Sequence, residues 1–318
     1  MNYSIGIDIG GTNTEFGLVD EKGTIIKREK LKTKDFSTTD DYLKALTTKI
    51  ELLADSVREE NLILGVGIGA PNGNYYHGTI EYAPNLPFKG IVDLKNNLEV
   101  LLLKDGYNLK VTVTNDANAA AIGEMIYGNA KDVKNFIMIT LGTGVGSGIV
   151  VDGKLVYGHT GFAGEVGHSI IDINGRQCNC GRRGCVERYA SATGIVITVK
   201  EMLQNSDKPS VLRDLDFDSI TSKDIYDAAV KGDSIALDCF DYTAKMLAVG
   251  IANACEITSP QKVFLFGGLS KAGNYLLTPL SKYLNEFLFS IFQNTITIEL
   301  SGLKETDAAL LGTAALCF

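Results

Sequence analysis

Residues 3–20 read Tyr-Ser-Ile-Gly-Ile-Asp-Ile-Gly-Gly-Thr-Asn-Thr-Glu-Phe-Gly-Leu-Val-Asp, and this stretch decides the fold. From Tyr3 to Ile9 apolar residues alternate with small or polar ones, the period of a strand. Gly10 and Gly11 break the run and residues 14–20 resume it, which predicts a strand, a tight glycine turn and a second strand. Residues 136–152 repeat the pattern. A shift of 132 positions places Ile5 on Ile137, Ile7 on Ile139, Ile9 on Leu141, Gly10 on Gly142, Val19 on Val151 and Asp20 on Asp152. Such a duplication predicts an α/β protein of two related lobes whose glycine turns face a shared cleft. Asp8 of the first copy corresponds to Thr140 of the second, so only the first offers a carboxylate to a metal at this point.

Around these hairpins the spacing predicts a helix over 39–60, opened by Asp40 and Asp41, with Leu43, Leu46, Ile50 and Leu53 on one face. A strand over 62–68 leads into a long Gly/Pro/Asn-rich loop, 69–90. A short strand from Val111 runs into Asn115-Asp116 and an Ala-rich helix reaching about Tyr127. Further on, a strand over 262–266 ends in Gly267-Gly268, and an apolar helix over 307–318 is expected to pack back on the first lobe. The domain expectation is a smaller lobe of residues 1–115 joined by 302–318, and a larger lobe of residues 116–301.

The 318 residues are 45% hydrophobic and carry a formal charge of -8, a balance that disfavours nucleic acid and anionic membrane as partners. The start of the chain reads directly as a strand, without the basic and apolar regions of a signal peptide. The longest uncharged stretch, 136–151, reads as two strands and a turn rather than a membrane span. A reducing, cytoplasmic setting is therefore expected.

In that setting clustered cysteines point to metal before disulfide. His168, Cys178, Cys180 and Cys185 are spaced H-x9-C-x-C-x4-C, one imidazole and three thiolates, a closed tetrahedral set suited to structural Zn²⁺. The alternative is reduced loop thiols near an unrelated histidine. Arg176, Arg182 and Arg183 would offset the negative charge. Cys239, Cys255 and Cys317 read as small core side chains, and His77 and His159 as surface residues.

Three further segments carry candidate chemistry. In Asp8-Ile9-Gly10-Gly11-Thr12-Asn13 the glycines permit close approach of a phosphate, Thr12 offers a hydroxyl and Asp8 can orient Mg²⁺ or its waters. The glycine-dense run Leu141 to Gly148, which includes Gly142, Thr143 and Gly144, is a second candidate phosphate turn and lacks the lysine of a P-loop. Asp116 in Asn115-Asp116-Ala117-Asn118 reads either as a helix cap or as an acceptor carboxylate for the proton of an attacking hydroxyl. Glu165 and Glu187 flank the metal set, and two acceptors beside a neutral histidine suit vicinal hydroxyls.

Taken in order, these motifs resemble the ROK family of repressors, open reading frames and sugar kinases, of the actin-like (ribonuclease H-like) fold. The likeness spans nearly the whole chain, and Gly164-Glu165-Val166-Gly167-His168 followed by Cys178 to Glu187 carries it most specifically. It implies an ATP-dependent kinase acting on the 6-hydroxyl of glucose, with Asp116 as general base. It implies Asn85, Asn115, Asp116, Glu165, His168 and Glu187 on the sugar. Asp8, Gly10, Gly11, Thr12, Asn13, Gly142, Thr143 and Gly144 would face the ATP phosphates and Mg²⁺, and Gly267 and Gly268 the adenosine. It also implies a homodimer. Two places depart from the family pattern: Glu15 stands where a basic residue is frequent, and the sugar loop reads Ala70-Pro71-Asn72-Gly73. N-acetylmannosamine or N-acetylglucosamine kinase is the alternative activity, ahead of fructokinase. A sugar-responsive repressor would need a DNA-binding module ahead of Asp8, where the sequence leaves no room for one, and a binder without catalysis would not need both Asp8 and Asp116.

Overall fold

The structure is a computed structural model and describes residues 1–57, 62–83 and 86–318. Strands β1 (Asn2–Ile9) and β2 (Thr14–Asp20) form the opening hairpin, with Ile7 opposite Phe16 and Asp8 opposite Glu15. The turn closes through the N–H of Gly10 on the carbonyl of Asn13 at 2.9 Å. β3 (Ile25–Leu31) follows. Helix α1 (Thr39–Ala54) starts where Thr38 accepts from the N–H of Asp41, and it buries Leu43, Leu46, Ile50 and Leu53. It stops at Ala54, short of the expected residue 60, and residues 58–61 lie outside the described ones.

β4 (Leu62–Ala70) is followed by β5 (Gly73–Asn74), β6 (Thr79–Glu81) and β7 (Ile91–Asp93), which pair into a small antiparallel sheet. The segment expected as a loop is thus partly sheet. Strands of two or three residues are too short to show a period, so the pattern gave no sign of them. A β-carbon on Gly73 would lie 2.2 Å from the carbonyl oxygen of Thr114, which is why the sheet can sit against the strand leading to Asp116. Helix α2 (Leu94–Lys104), β8 (Val111–Asn115) and α3 (Asp116–Ile126) follow. The first main sheet has the order β3-β2-β1-β4-β8, its last two pairings parallel.

Then come β9 (Phe136–Leu141), β10 (Val145–Val151), β11 (Lys154–Leu155), α4 (Glu187–Ala190), α5 (Ala192–Gln204), α6 (Ser222–Val230), α7 (Ser234–Thr258), β12 (Lys262–Phe266), α8 (Asn274–Phe287), β13 (Thr297–Leu300) and α9 (Glu305–Ala314). The second main sheet has the order β11-β10-β9-β12-β13. The two sheets match strand for strand: a three-stranded antiparallel start, then two parallel strands. The duplication read from the hairpins therefore extends to the whole sheet.

The chain divides into two compact units, one of residues 1–133, 148–163 and 301–318, the other of residues 134–147 and 164–300. This division does not coincide with a boundary at 115/116. Helix α3 belongs with the first unit because it packs on α9, where a β-carbon on Gly123 would lie 2.9 Å from the α-carbon of Gly312. Helix α9 lies directly on β1 and β4. A β-carbon on Gly6 would sit 2.3 Å from the carbonyl oxygen of Leu310, and one on Gly67 1.9 Å from that of Thr313. Ser4 Oγ also donates to the carbonyl of Ala314 at 3.0 Å. In the second unit Phe136 and Phe264 meet edge to face at 5.6 Å on adjacent strands, both fully buried.

Candidate active site

In the first unit Asp8 is the last residue but one of β1 and Asp116 opens α3. Burial, then the negative charges of Asp116 and Glu15, push the Asp8 carboxyl up to about 7. Glu15, one of the departures noted above, lies directly across the hairpin from Asp8 and is held by Lys30 at 3.0 Å. The helix cap is Asn115, whose Oδ1 accepts from the N–H of Ala117 at 2.9 Å. Asp116 Oδ1 accepts from the same N–H at 2.8 Å. The Asp116 side chain reaches solvent, yet the protein packed around the helix start takes away enough water to raise its carboxyl above the usual range. The N–H groups of Ala117 and Asp116 and the Asn115 side chain pull it the other way. Thr12 is exposed at the tip of the hairpin turn, and Gly10, Gly11 and Asn13 are half-buried. Asn85 lies outside the described residues.

In the second unit the structure brings the remaining candidates together around Val145. The β9–β10 turn is closed by the N–H of Gly142 on the carbonyl of Gly144 at 3.0 Å. Gly267, with φ 100°, ends β12 so near β9 that a β-carbon would lie 2.7 Å from the carbonyl oxygen of Leu141. The Gly142 turn and Gly267-Gly268 are therefore neighbours, and the α-carbons of Gly142 and Gly268 face open space. On the other side a β-carbon on Gly167 would lie 1.9 Å from the Val145 carbonyl oxygen, so the Val166–His168 turn rests on the same strand. Ser147 Oγ fastens that turn, donating to the Gly164 carbonyl and accepting from the N–H of Val166. Glu165 is exposed at its start.

His168, Cys178, Cys180 and Cys185 converge, with one ligand atom from each lying within 4.8 Å of all the others. His168 presents Nδ1 to Cys178 Sγ at 3.8 Å, and Cys180 and Cys185 Sγ atoms are 3.6 Å apart. A tetrahedral Zn²⁺ with Zn–S bonds of about 2.3 Å spaces its sulfur ligands about 3.8 Å apart, so the residues fit the ion. Burial opposes ionisation of Cys180, but the backbone N–H and side chain of Arg182 and the neighbouring thiols outweigh it and hold Cys180 down at about 6. His77 and His159 are exposed, away from this set, and Cys239 and Cys255 are buried in the core.

Sequence reading missed how the second turn is held. The N–H of Val145 donates to Glu187 Oε2 at 3.1 Å, Thr193 Oγ1 donates to the Thr143 carbonyl at 2.9 Å, and the N–H of Ala192 donates to the Gly142 carbonyl at 2.9 Å. Pairing across 42 and 50 residues leaves no local pattern, and the only hint is Ser191-Ala-Thr193 at a helix start.

The profile of the ROK family matches residues 4–318. The chain belongs to the ROK family. As a ROK protein it has the actin-like α/β fold, which the duplicated sheets display. It is 35% identical over 293 residues to a glucokinase of Halalkalibacterium halodurans, covering 90% of this chain and 86% of that one. It is 32% identical to the xylose repressor of Caldicellulosiruptor bescii, over 98% of this chain and 77% of the repressor. Among solved structures, the ROK family glucokinase from Streptomyces griseus in complex with glucose and AMPPNP superposes with a TM-score of 0.79 at 32% identity, covering 99% of this chain and 98% of that one. No helix among the described residues of this ROK protein is long and apolar enough to cross a membrane.

Proposed function

We propose that this ROK protein is an ATP-dependent hexose kinase of the glucokinase type, transferring the γ-phosphoryl group of ATP to the 6-hydroxyl of glucose with Asp116 as general base. The observation that carries the reading is the start of α3. Asn115 takes the cap, and Asp116 keeps a solvent-reaching carboxyl whose raised affinity for a proton suits an acceptor. The sugar oxygen forms its bond to the γ-phosphorus as the bond from that phosphorus to the β,γ-bridging oxygen breaks. ADP leaves with that electron pair, and the hydroxyl proton passes to Asp116.

Asp8 would hold Mg²⁺ that arrives with ATP, or its waters, and the ion supplies positive charge to the phosphate oxygens. Gly10, Gly11, Thr12 and Asn13 on one turn and Gly142, Thr143 and Gly144 on the other are assigned to the phosphates, Gly267 and Gly268 to the adenosine. Asn85, Asn115, Glu165, His168 and Glu187 are assigned to the sugar hydroxyls. His168, Cys178, Cys180 and Cys185 would hold structural Zn²⁺, which supplies cross-linking of the loop and no open position for chemistry. With Nδ1 turned to the thiols, His168 has Nε2 to offer to a sugar hydroxyl. A cytoplasmic homodimer without a nucleic-acid partner completes the proposal.

The test is a kinase assay of the purified chain with Mg²⁺-ATP against glucose, mannose, fructose, N-acetylmannosamine and N-acetylglucosamine. The highest kcat/KM is expected for glucose, and an N-acetylhexosamine in first place would shift the assignment within the kinase class. Phosphorylation of no sugar would overturn it. The likeness to a xylose repressor favours a sugar-responsive regulator as the second reading, and salt-resistant operator binding would support that instead.

A further inference from the structure

The three hydrogen bonds that tie the 142–145 turn to residues 187–193 are not equivalent. Those from Ala192 and Thr193 bring neutral donors to carbonyl oxygens. The third puts a carboxylate, Glu187, on the N–H of Val145, in the turn assigned to phosphate. Carboxylate and phosphate are both anions, and one N–H cannot serve both well. Glu187 also fills the space over Gly144, where a β-carbon would lie 2.2 Å from its Oε2. The backbone at Glu187 is fixed independently, because its carbonyl accepts from Ser191 Oγ at 2.7 Å and the N–H of Arg188 is tied to Cys185 at 3.0 Å. Movement of the carboxylate needs only side-chain rotation.

We propose that Glu187 couples the two substrates. When sugar binds, its carboxylate turns from the Val145 N–H to the sugar hydroxyls, clearing the turn for the nucleotide phosphates, so sugar and nucleotide bind with positive cooperativity. The inference rests on the assignment of Glu187 to the sugar. Linkage then requires glucose to tighten nucleotide by the same factor as nucleotide tightens glucose.

Calorimetric titration of the full chain with the non-hydrolysable β,γ-imido analogue of ATP and Mg²⁺, with and without saturating glucose, reads this factor directly, and the reverse titration must return the same value. A tightening of about 5–150-fold is expected in the wild type. Gly144 is outside the left-handed region, so Gly144→Ala meets no left-handed strain and presses on the end of a flexible side chain. In this variant the factor should fall to within about twofold of unity, since the contact that glucose would break is already gone. Glu187→Gln, which keeps an amide oxygen but no charge, gives an independent reading if Gly144→Ala folds poorly. It should bind the analogue more tightly than wild type without glucose and show a reduced factor. A factor of unity in an active wild-type kinase overturns the coupling while leaving the kinase reading intact, as does an undiminished factor in both variants. Failure to phosphorylate any hexose, together with no glucose binding, would remove the assignment on which the coupling rests.

Discussion

At the scale of single residues the account rests on two carboxyls. Asp116→Asn should lower kcat about 10²–10⁴-fold, the usual contribution of a general base, while calorimetry shows glucose affinity nearly unchanged. As the proposed cation ligand, Asp8 adds a limb of its own to the pH dependence. Below about 7 it is protonated and a poor cation ligand, so kcat/KM at limiting Mg²⁺ should fall as pH drops through that value. Excess Mg²⁺ favours the ionised form and should move this limb to lower pH. The stability sign is the reverse. Because folding raises the Asp8 pKa above its ordinary 3.8, its contribution is fully present below that value and is lost as pH rises through about 7. Thermal melts of Asp8→Asn should therefore show a higher Tm than wild type at pH 8, with each pKa unit relieved worth about 1.4 kcal/mol, and an inactive enzyme. The Asp116 motif is legible in the sequence as a helix start with two readings; in the structure Asn115 is the cap residue, and Asp116 Oδ1 accepts from the same Ala117 N–H. The bond from Val145 to Glu187 was not legible, because it depends on a fold that brings residues 42 apart together.

At the scale of elements the loop from His168 to Cys185 was the clearest signal. Few roles require three thiolates and an imidazole at such spacing, and their ligand atoms converge in the structure. Metal analysis of the purified protein should find one zinc per chain. Cys185→Ser should lose it and raise the glucose KM about tenfold to a hundredfold, since hydrogen bonds to charged groups on a disordered loop forfeit about 1.5–3 kcal/mol. The docking of α9 on the sheet makes a second prediction. Gly67→Ala places a methyl group against the backbone of Thr313, which has no side-chain freedom with which to yield. Denaturant titration should show a loss of about 1–3 kcal/mol or more. By contrast the short strands β5 and β6 lie in the stretch 69–90 whose composition predicts a loop, because two or three residues show no period and the approach of Gly73 to the Thr114 carbonyl is encoded by none.

At the scale of the molecule, one hairpin read twice gave the architecture. The alignment of Ile5 with Ile137 and Gly10 with Gly142 extends in the structure to five strands in the same order on each side. The duplicated copies differ at the position proposed to face the metal: Asp8 stands in one and Thr140 in the other. Segment assignment was harder to read than topology. The allegiance of α3 is decided by its packing on α9, nearly two hundred residues later in the chain, rather than by its place after β8. The central claim, that Asp116 takes the proton from a hexose hydroxyl attacking ATP, is tested most directly by incubating wild type and Asp116→Ala with Mg²⁺-ATP and glucose and measuring ADP and sugar phosphate together. The account predicts equal amounts of ADP and glucose 6-phosphate from the wild type and almost none from the variant. An Asp116→Ala protein that still phosphorylates glucose at a rate near the wild type would contradict it.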